Sequence, residues 1–86
     1  MRWSRAQNVL CRTAPGYLAL MTPDGAPSEI LGPGAEIWAL LKEPLETSAL
    51  VDATASNYSV DRDVVARDVQ RLLDQLHTDG YVDRSD

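Results

Sequence analysis

The sequence has a single cysteine, Cys11, and a single histidine, His77, among its 86 residues. One cysteine cannot form an intramolecular disulfide or a multi-cysteine metal site. The lone histidine has no obvious nucleophile that it could activate, so no hydrolytic site is indicated. We therefore expect no catalytic residues, no bound metal and no cofactor.

Long hydrophobic runs are also absent. The first ten residues, MRWSRAQNVL, lack the apolar segment of a signal peptide, and no later segment is long enough to cross a membrane. We expect a cytoplasmic protein without a membrane partner.

Basic residues are few, with eight Lys and Arg against thirteen Asp and Glu, and the formal net charge is −5. Affinity for nucleic acid needs a basic patch, so this balance opposes a nucleic-acid partner. It is compatible with a basic peptide as partner. The hydrophobic fraction of 44% is that of a folded chain. The length predicts one domain, residues 1–86 with a core at about 8–82, in which a buried active site would find little room.

The longest helical pattern runs from Asp61 to Gly80. Asp61 is suited to cap its start, and Gly80 to end it in a left-handed conformation. An apolar stripe at three- and four-residue spacing contains Val65, Val69, Leu72, Leu73 and Leu76. A second strip beside it, with the same spacing, contains Val64, Asp68, Arg71 and Gln75. We predict that the stripe packs into a core and that the neighbouring strip stays accessible.

Three short strands are predicted before this helix, separated by turn residues at Pro15-Gly16 and Pro23-Asp24-Gly25. Their predicted bounds are Asn8–Arg12, Tyr17–Met21 and Ser28–Leu31, and they form a small antiparallel sheet. At the ends of the chain, residues 1–7 are expected to be a frayed arm on which only Trp3 docks, and residues 83–86 to be disordered.

Two further helices are predicted between the sheet and the long helix. Gly32-Pro33-Gly34 ends the sheet, and Ala35–Lys42 forms an amphipathic helix with Trp38 as a core anchor. Thr47–Asn57 is a weaker helix because its Ser, Thr and Asn content lowers helix propensity. The predicted fold class is therefore α+β, a three-stranded antiparallel sheet followed by three helices in a winged helix-turn-helix arrangement.

Three segments in a fixed order resemble the PqqD-like family: GAEIWALL at residues 34–41, Tyr58-Ser59-Val60, and RDVQRLLDQLHTDGYV at residues 67–82. The family shows an Ile-Trp-x-Leu-Leu helix, a Tyr-x-Val link and, at its end, the motif Asp-Val-x-x-(Phe/Leu)-Leu-x-x-Leu-x-x-x-Gly-Leu. The resemblance extends over residues 8–82. Departures at residues 32–34, Glu46 and Tyr81 remove two helix caps and a leucine, so they bear on stability.

The resemblance implies a recognition element for ribosomally made, post-translationally modified peptides. Such domains bind the leader segment of a precursor peptide and bring it to a processing enzyme. A free-standing copy of this size resembles the leader-binding protein of lasso-peptide biosynthesis, whose second partner is a separate leader peptidase of the cysteine-protease type. The related alternative is the peptide chaperone of coenzyme PQQ synthesis, which serves a radical enzyme.

In this family the leader lies as an added strand along the third strand and packs against the third helix. Carried onto this sequence, the strand side of the site is Ser28, Glu29, Ile30 and Leu31, and the helix side is Val64, Arg67, Asp68, Arg71, Leu72 and Gln75. Val64 and Leu72 are expected to line a pocket for apolar or aromatic leader residues. Asp68 and Arg71 are expected to hold polar groups at its rim.

Other interpretations of these residues remain open. Leu72 lies on the apolar stripe and is compatible with a purely core position. Asp68 and Arg71 can form a surface ion pair contributing about 0.3 kcal/mol, and Glu29 can simply discourage edge-to-edge aggregation. A winged-helix DNA-binding regulator would need Lys and Arg along its recognition helix. The long helix and its ends instead carry five aspartates against three arginines.

Overall fold

The computed structural model of the protein describes residues 1–31 and 33–85. Within these ranges the strands are β1 (Arg2–Arg5), β2 (Leu10–Ala14), β3 (Tyr17–Met21), β4 (Ser28–Leu31), β5 (Leu45–Glu46) and β6 (Val82–Ser85). The helices are α1 (Pro33–Leu40), α2 (Thr47–Tyr58) and α3 (Arg62–Thr78). Gly32, which the sequence placed at the end of the sheet, and Asp86, the last residue of the predicted disordered tail, lie outside the described residues.

The predicted three-stranded antiparallel sheet is confirmed, with strand order β2-β3-β4. β3 and β4 have the predicted bounds. β2 begins at Leu10 rather than Asn8, because Asn8 has φ 66°, which is incompatible with an extended strand. Leu18 and Leu20 of β3 are fully buried and fix which face of the sheet packs on the helices.

A second sheet was not predicted. Its order is β5-β1-β6, with Trp3 of the central strand opposite Leu45 on one side and Arg84 on the other. The expected frayed arm at residues 1–7 is therefore wrong, and so is the expected disorder of residues 83–85. These strands are short, and each is ordered only by pairing with segments distant in the sequence, a relation that no local pattern reveals.

The ends of α3 follow the predicted chemistry. The Asp61 carboxylate accepts a hydrogen bond from the Asp63 N–H at 2.9 Å, which caps the start of the helix. Gly80 has φ 85°, and the Tyr81 N–H beyond it donates to the Leu76 carbonyl at 2.9 Å. α1 begins two residues before the predicted start because proline is well tolerated in the first turn of a helix. None of the described helices is long and apolar enough to cross a membrane.

The core lies between the helices and the inner faces of the two sheets. Trp38 is 2% exposed, which confirms it as a core anchor. The Arg5 guanidinium lies 4.6 Å from the centre of the Trp38 ring and donates to the Trp38 carbonyl at 2.7 Å. Four members of the α3 stripe are buried: Val65, Val69, Leu73 and Leu76. The fifth, Leu72, is only half-buried, because it lies where α3 borders a cleft.

Candidate functional site

β4 forms one edge of the main sheet. β3 pairs with it on one side, and no other described strand pairs with it on the other. Ile30 lies opposite the buried Leu18, so its side chain shares the core-facing side of the sheet, whereas Glu29 is exposed on the outer side. The free edge therefore presents unpaired main-chain groups beside a half-buried apolar side chain.

The first residue of β4 is held by a buried tyrosine. The Tyr81 hydroxyl donates to the Ser28 hydroxyl oxygen at 2.8 Å, and Tyr81 itself is 4% exposed. Ser28 lies opposite Leu20, on the inner face of the sheet. Its side chain is thus committed to the fold, which leaves its main chain as the part that a ligand could pair with.

An apolar cleft of about 400 Å³ opens beside this strand. It lies between β4, the start of α1, the end of α2 and the first three turns of α3. The lining residues are Ile30, Pro33, Gly34, Ile37, Thr54, Tyr58, Val60, Val65, Asp68, Val69 and Leu72. The Thr54 hydroxyl donates to the Leu50 carbonyl at 2.8 Å, so its polar group is already satisfied. The lining favours a large apolar side chain as occupant.

Gly34 allows β4, α1 and α3 to approach one another at the mouth of the cleft. A Cβ atom built at this position would collide with the Ile30 Cγ2 atom and lie 3.5 Å from a methyl carbon of Leu72. Glycine is thus required by the close packing of three elements. The arrangement brings Ile30 and Leu72, both predicted site residues, to the same opening.

Tyr58, the last residue of α2, is one of the residues that line the cleft. A hydrogen bond with the Glu36 side chain, together with desolvation and the negative charge of Glu36, raises the pKa of Tyr58 above its usual value. A tyrosine phenol is uncharged near neutral pH in any case, so Tyr58 adds no charge to the cleft. Tyr58 and Val60 were quoted for the family resemblance but not as site residues, and the Tyr-x-Val link was the signal that could have identified them.

A second depression of about 350 Å³ adjoins the cleft on α3. Its lining residues are Asp68, Arg71, Leu72 and Gln75, all predicted for the site. Asp68 and Leu72 line both cavities and so separate them. No ion pair joins Asp68 to Arg71 in the part of the chain that the structure describes, so the surface-pair alternative does not hold.

The other predicted residues lie apart from these cavities. Val64 and Arg67 are exposed on α3 and are not among the residues that line the cleft or the depression. Leu31 occupies the last position of β4, opposite Tyr17, and its side chain lies outside the described part of the chain. The described residues contain no group of three or more His, Cys, Asp or Glu side chains that could hold a metal ion.

The fold and these cavities define a class: a small, winged-helix-like α+β domain whose free strand edge borders an apolar cleft. The family model of coenzyme PQQ synthesis protein D (PqqD) matches residues 19–82. The chain belongs to the PqqD family, as the three sequence segments predicted.

Two relatives show how far the likeness extends. The PqqA binding protein of Rhodopseudomonas palustris is 33% identical over 60 aligned positions, and the match covers 66% of this chain and 59% of the relative's length. The solved structure of TbiB1 in complex with the TbiA(beta) leader peptide is 27% identical, with a TM-score of 0.87. That match covers 96% of this chain and 99% of TbiB1, and it confirms the predicted fold class.

Proposed function

We propose that the protein binds the leader segment of a ribosomally synthesised precursor peptide, as a strand added to the free edge of β4. The observation that carries the proposal is the juxtaposition of this edge with the apolar cleft. Further support comes from TbiB1, a structure similar over nearly the whole chain that holds a leader peptide. The Rhodopseudomonas palustris relative, which is described as a PqqA binding protein, points the same way.

Strand addition explains how such a small surface can be selective. Main-chain hydrogen bonds to β4 supply affinity that depends little on sequence, and side chains entering pockets supply specificity. Alternate residues of an added strand point to opposite faces. Every second leader residue would therefore face the cleft and α3, where Ile30 and Leu72 provide the walls.

The second partner is proposed to be a leader peptidase of the cysteine-protease type, with a lasso peptide as the product. This protein would then act by binding, as a single recognition domain, in the cytoplasm where precursors are synthesised. A peptide chaperone of coenzyme PQQ synthesis is the alternative, favoured by the description of the matching family model and by the PqqA-binding relative. The identity of the peptide bound most tightly separates the two.

The test of strand addition uses synthetic peptides that correspond to the N-terminal segments of small open reading frames encoded beside this chain. Binding of one of them should slow hydrogen exchange at the amides of Glu29, Ile30 and Leu31, because the unpaired edge becomes paired. N-methylation at alternate leader residues should lower affinity at least about tenfold, since each loses a main-chain hydrogen bond of about 0.5–1.5 kcal/mol and gains a steric clash. Methylation at the intervening residues should have little effect. Titration calorimetry measures both sets.

A peptide bound as a helix in the cleft would give a different result. Its sensitive positions would recur every three or four residues. That period, together with unchanged exchange at β4, would rule out strand addition.

A DNA-binding function would require a basic helix surface, and this alternative can be tested directly. Because α3 and its caps carry more aspartate than arginine, duplex DNA should show no saturable complex in a polarisation assay, even at low salt. A basic winged-helix protein of known affinity serves as the positive control. Saturable binding that weakens steeply with added salt would instead identify a nucleic-acid-binding protein.

A further inference from the structure

The cleft and the depression share Asp68 and Leu72, and they differ in the other residues that line them. The cleft is lined mainly by aliphatic side chains. The depression carries the Arg71 guanidinium, which has no acceptor among the hydrogen bonds and ion pairs of the described residues. The amide nitrogen of Gln75 already donates to the Asp79 carboxylate at 3.1 Å. Arg71 is thus the donor of the depression that remains available to a ligand.

The offset between the two cavities can be derived from the helix that lines both. Their α3 residues correspond after a shift of three positions, with Val65 and Asp68 in the cleft matched by Asp68 and Arg71 in the depression. On an α-helix, three residues advance about 4.5 Å along the axis and turn about 60° around it. At a side-chain radius of about 5 Å this is a displacement of about 7 Å. Two residues of an extended strand span about 6.6 Å, which is nearly the same distance as the offset between the two cavities.

We propose that the bound leader is read by a two-residue rule, with a bulky apolar residue in the cleft and a residue with a side-chain oxygen acceptor two positions away in the depression. Asp, Glu, Asn and Gln provide such an acceptor, and Arg71 donates to it. The Asp68 carboxylate also lines the depression, so the uncharged amides of Asn and Gln are favoured over the carboxylates of Asp and Glu. The residue between them points to the outer face, beside Glu29, and is not selected. This inference rests on the proposed strand addition and specifies its ligand.

The order of the two residues follows from the direction of α3. Tyr81, just beyond the end of α3, is bonded to Ser28 at the start of β4. Leu72, nearer the middle of α3, approaches Gly34, just beyond the end of β4. α3 and β4 thus run in opposite directions, and the cleft lies towards the end of β4. A leader added antiparallel to β4, the commoner pairing, reaches the cleft first and the depression second.

Selection from a display library of random twelve-residue peptides, with the full chain immobilised, tests the rule without a known precursor. The expected consensus is a bulky apolar residue followed two positions later by Asp, Glu, Asn or Gln. Selection on the Arg71→Glu variant should exchange the acceptor for Lys or Arg and leave the apolar position unchanged. A selected peptide with one residue inserted between the two positions should bind at least tenfold more weakly than the original.

The outcomes separate this rule from the function on which it depends. Selected peptides can slow hydrogen exchange along β4 and yet show another spacing, or an acceptor preference that Arg71→Glu does not change. Either result overturns the two-residue rule and leaves the proposed function intact. A selection that yields no binding peptide contradicts the proposed function as well. Arg71→Lys retains the positive charge and should retain the acceptor preference. If Arg71 had a purely structural role, the original protein, Arg71→Glu and Arg71→Lys would all select the same consensus.

Discussion

Replacing Trp3 with alanine should lower the free energy of unfolding by about 3–5 kcal/mol, the usual cost of removing a buried large aromatic side chain. Trp3 is fully buried in the centre of the second sheet, and its indole N–H donates to the Thr47 hydroxyl at 2.7 Å. The ring also contacts His77 edge-on, with the ring centres 6.2 Å apart. The loss is a large fraction of the stability of a domain of this size.

Thermal and urea unfolding measure the effect, with Trp3→Phe as the matched variant. Phenylalanine keeps most of the apolar surface but loses the donor to Thr47, so it should cost much less than alanine. At about 4–8 °C for each kcal/mol, Trp3→Ala should lower the melting temperature by more than 10 °C. An unchanged melting temperature would mean that the first seven residues are the frayed arm indicated by the sequence.

Replacing Leu72 with glutamate should lower leader affinity at least about 100-fold, which corresponds to about 2.7 kcal/mol. The new carboxylate would lie at the wall shared by the cleft and the depression, beside Asp68. An ionised group there must lose water to admit an apolar leader residue, and Asp68 adds repulsion between like charges. Titration calorimetry with a bound leader, or with a peptide from the library, measures the loss.

Val64→Glu is the control variant that distinguishes the pocket predicted from the sequence from the cleft observed in the structure. It makes the same change in charge on the same helix, and the sequence placed Val64 and Leu72 in one pocket. In the structure Val64 is 42% exposed and does not line either cavity, so Val64→Glu should change affinity less than about threefold. Equal losses in the two variants would restore the pocket that the sequence predicted. Because Leu72 is half-buried, the melting temperature of each variant must accompany its affinity.

The parts of the fold that could be predicted are those specified by neighbouring residues. β3 and β4 are each bounded by turn residues, and their bounds agree with the prediction. The cap at Asp61 and the left-handed Gly80 were predicted because each acts within one helical turn. The stripe on α3 was predicted because a periodicity of about 3.6 residues is visible in the sequence itself.

The candidate site was likewise predicted only where neighbouring residues specify it. Asp68, Arg71 and Gln75 were predicted together because one helical strip carries them, and Leu72 was added from the neighbouring apolar stripe. All four line one depression. The cleft was not predicted in its true extent. Its lining comes from β4, three helices and the link before α3, and no single segment shows that Pro33, Tyr58 and Val60 meet. The close approach at Gly34 is likewise a contact between elements.

The sequence by itself determined the helices, the main sheet, the acidic balance and the family, because each depends on residue order and composition over short distances. Only the tertiary structure decided that the segment around Trp3 is the central strand of a second sheet, that residues 82–85 pair with it, and which side of α3 borders the cleft. The physical reason is the range of the interactions. Caps, turns and periodicity act between near neighbours, whereas strand pairing and cavity shape depend on segments that meet only once the chain has folded.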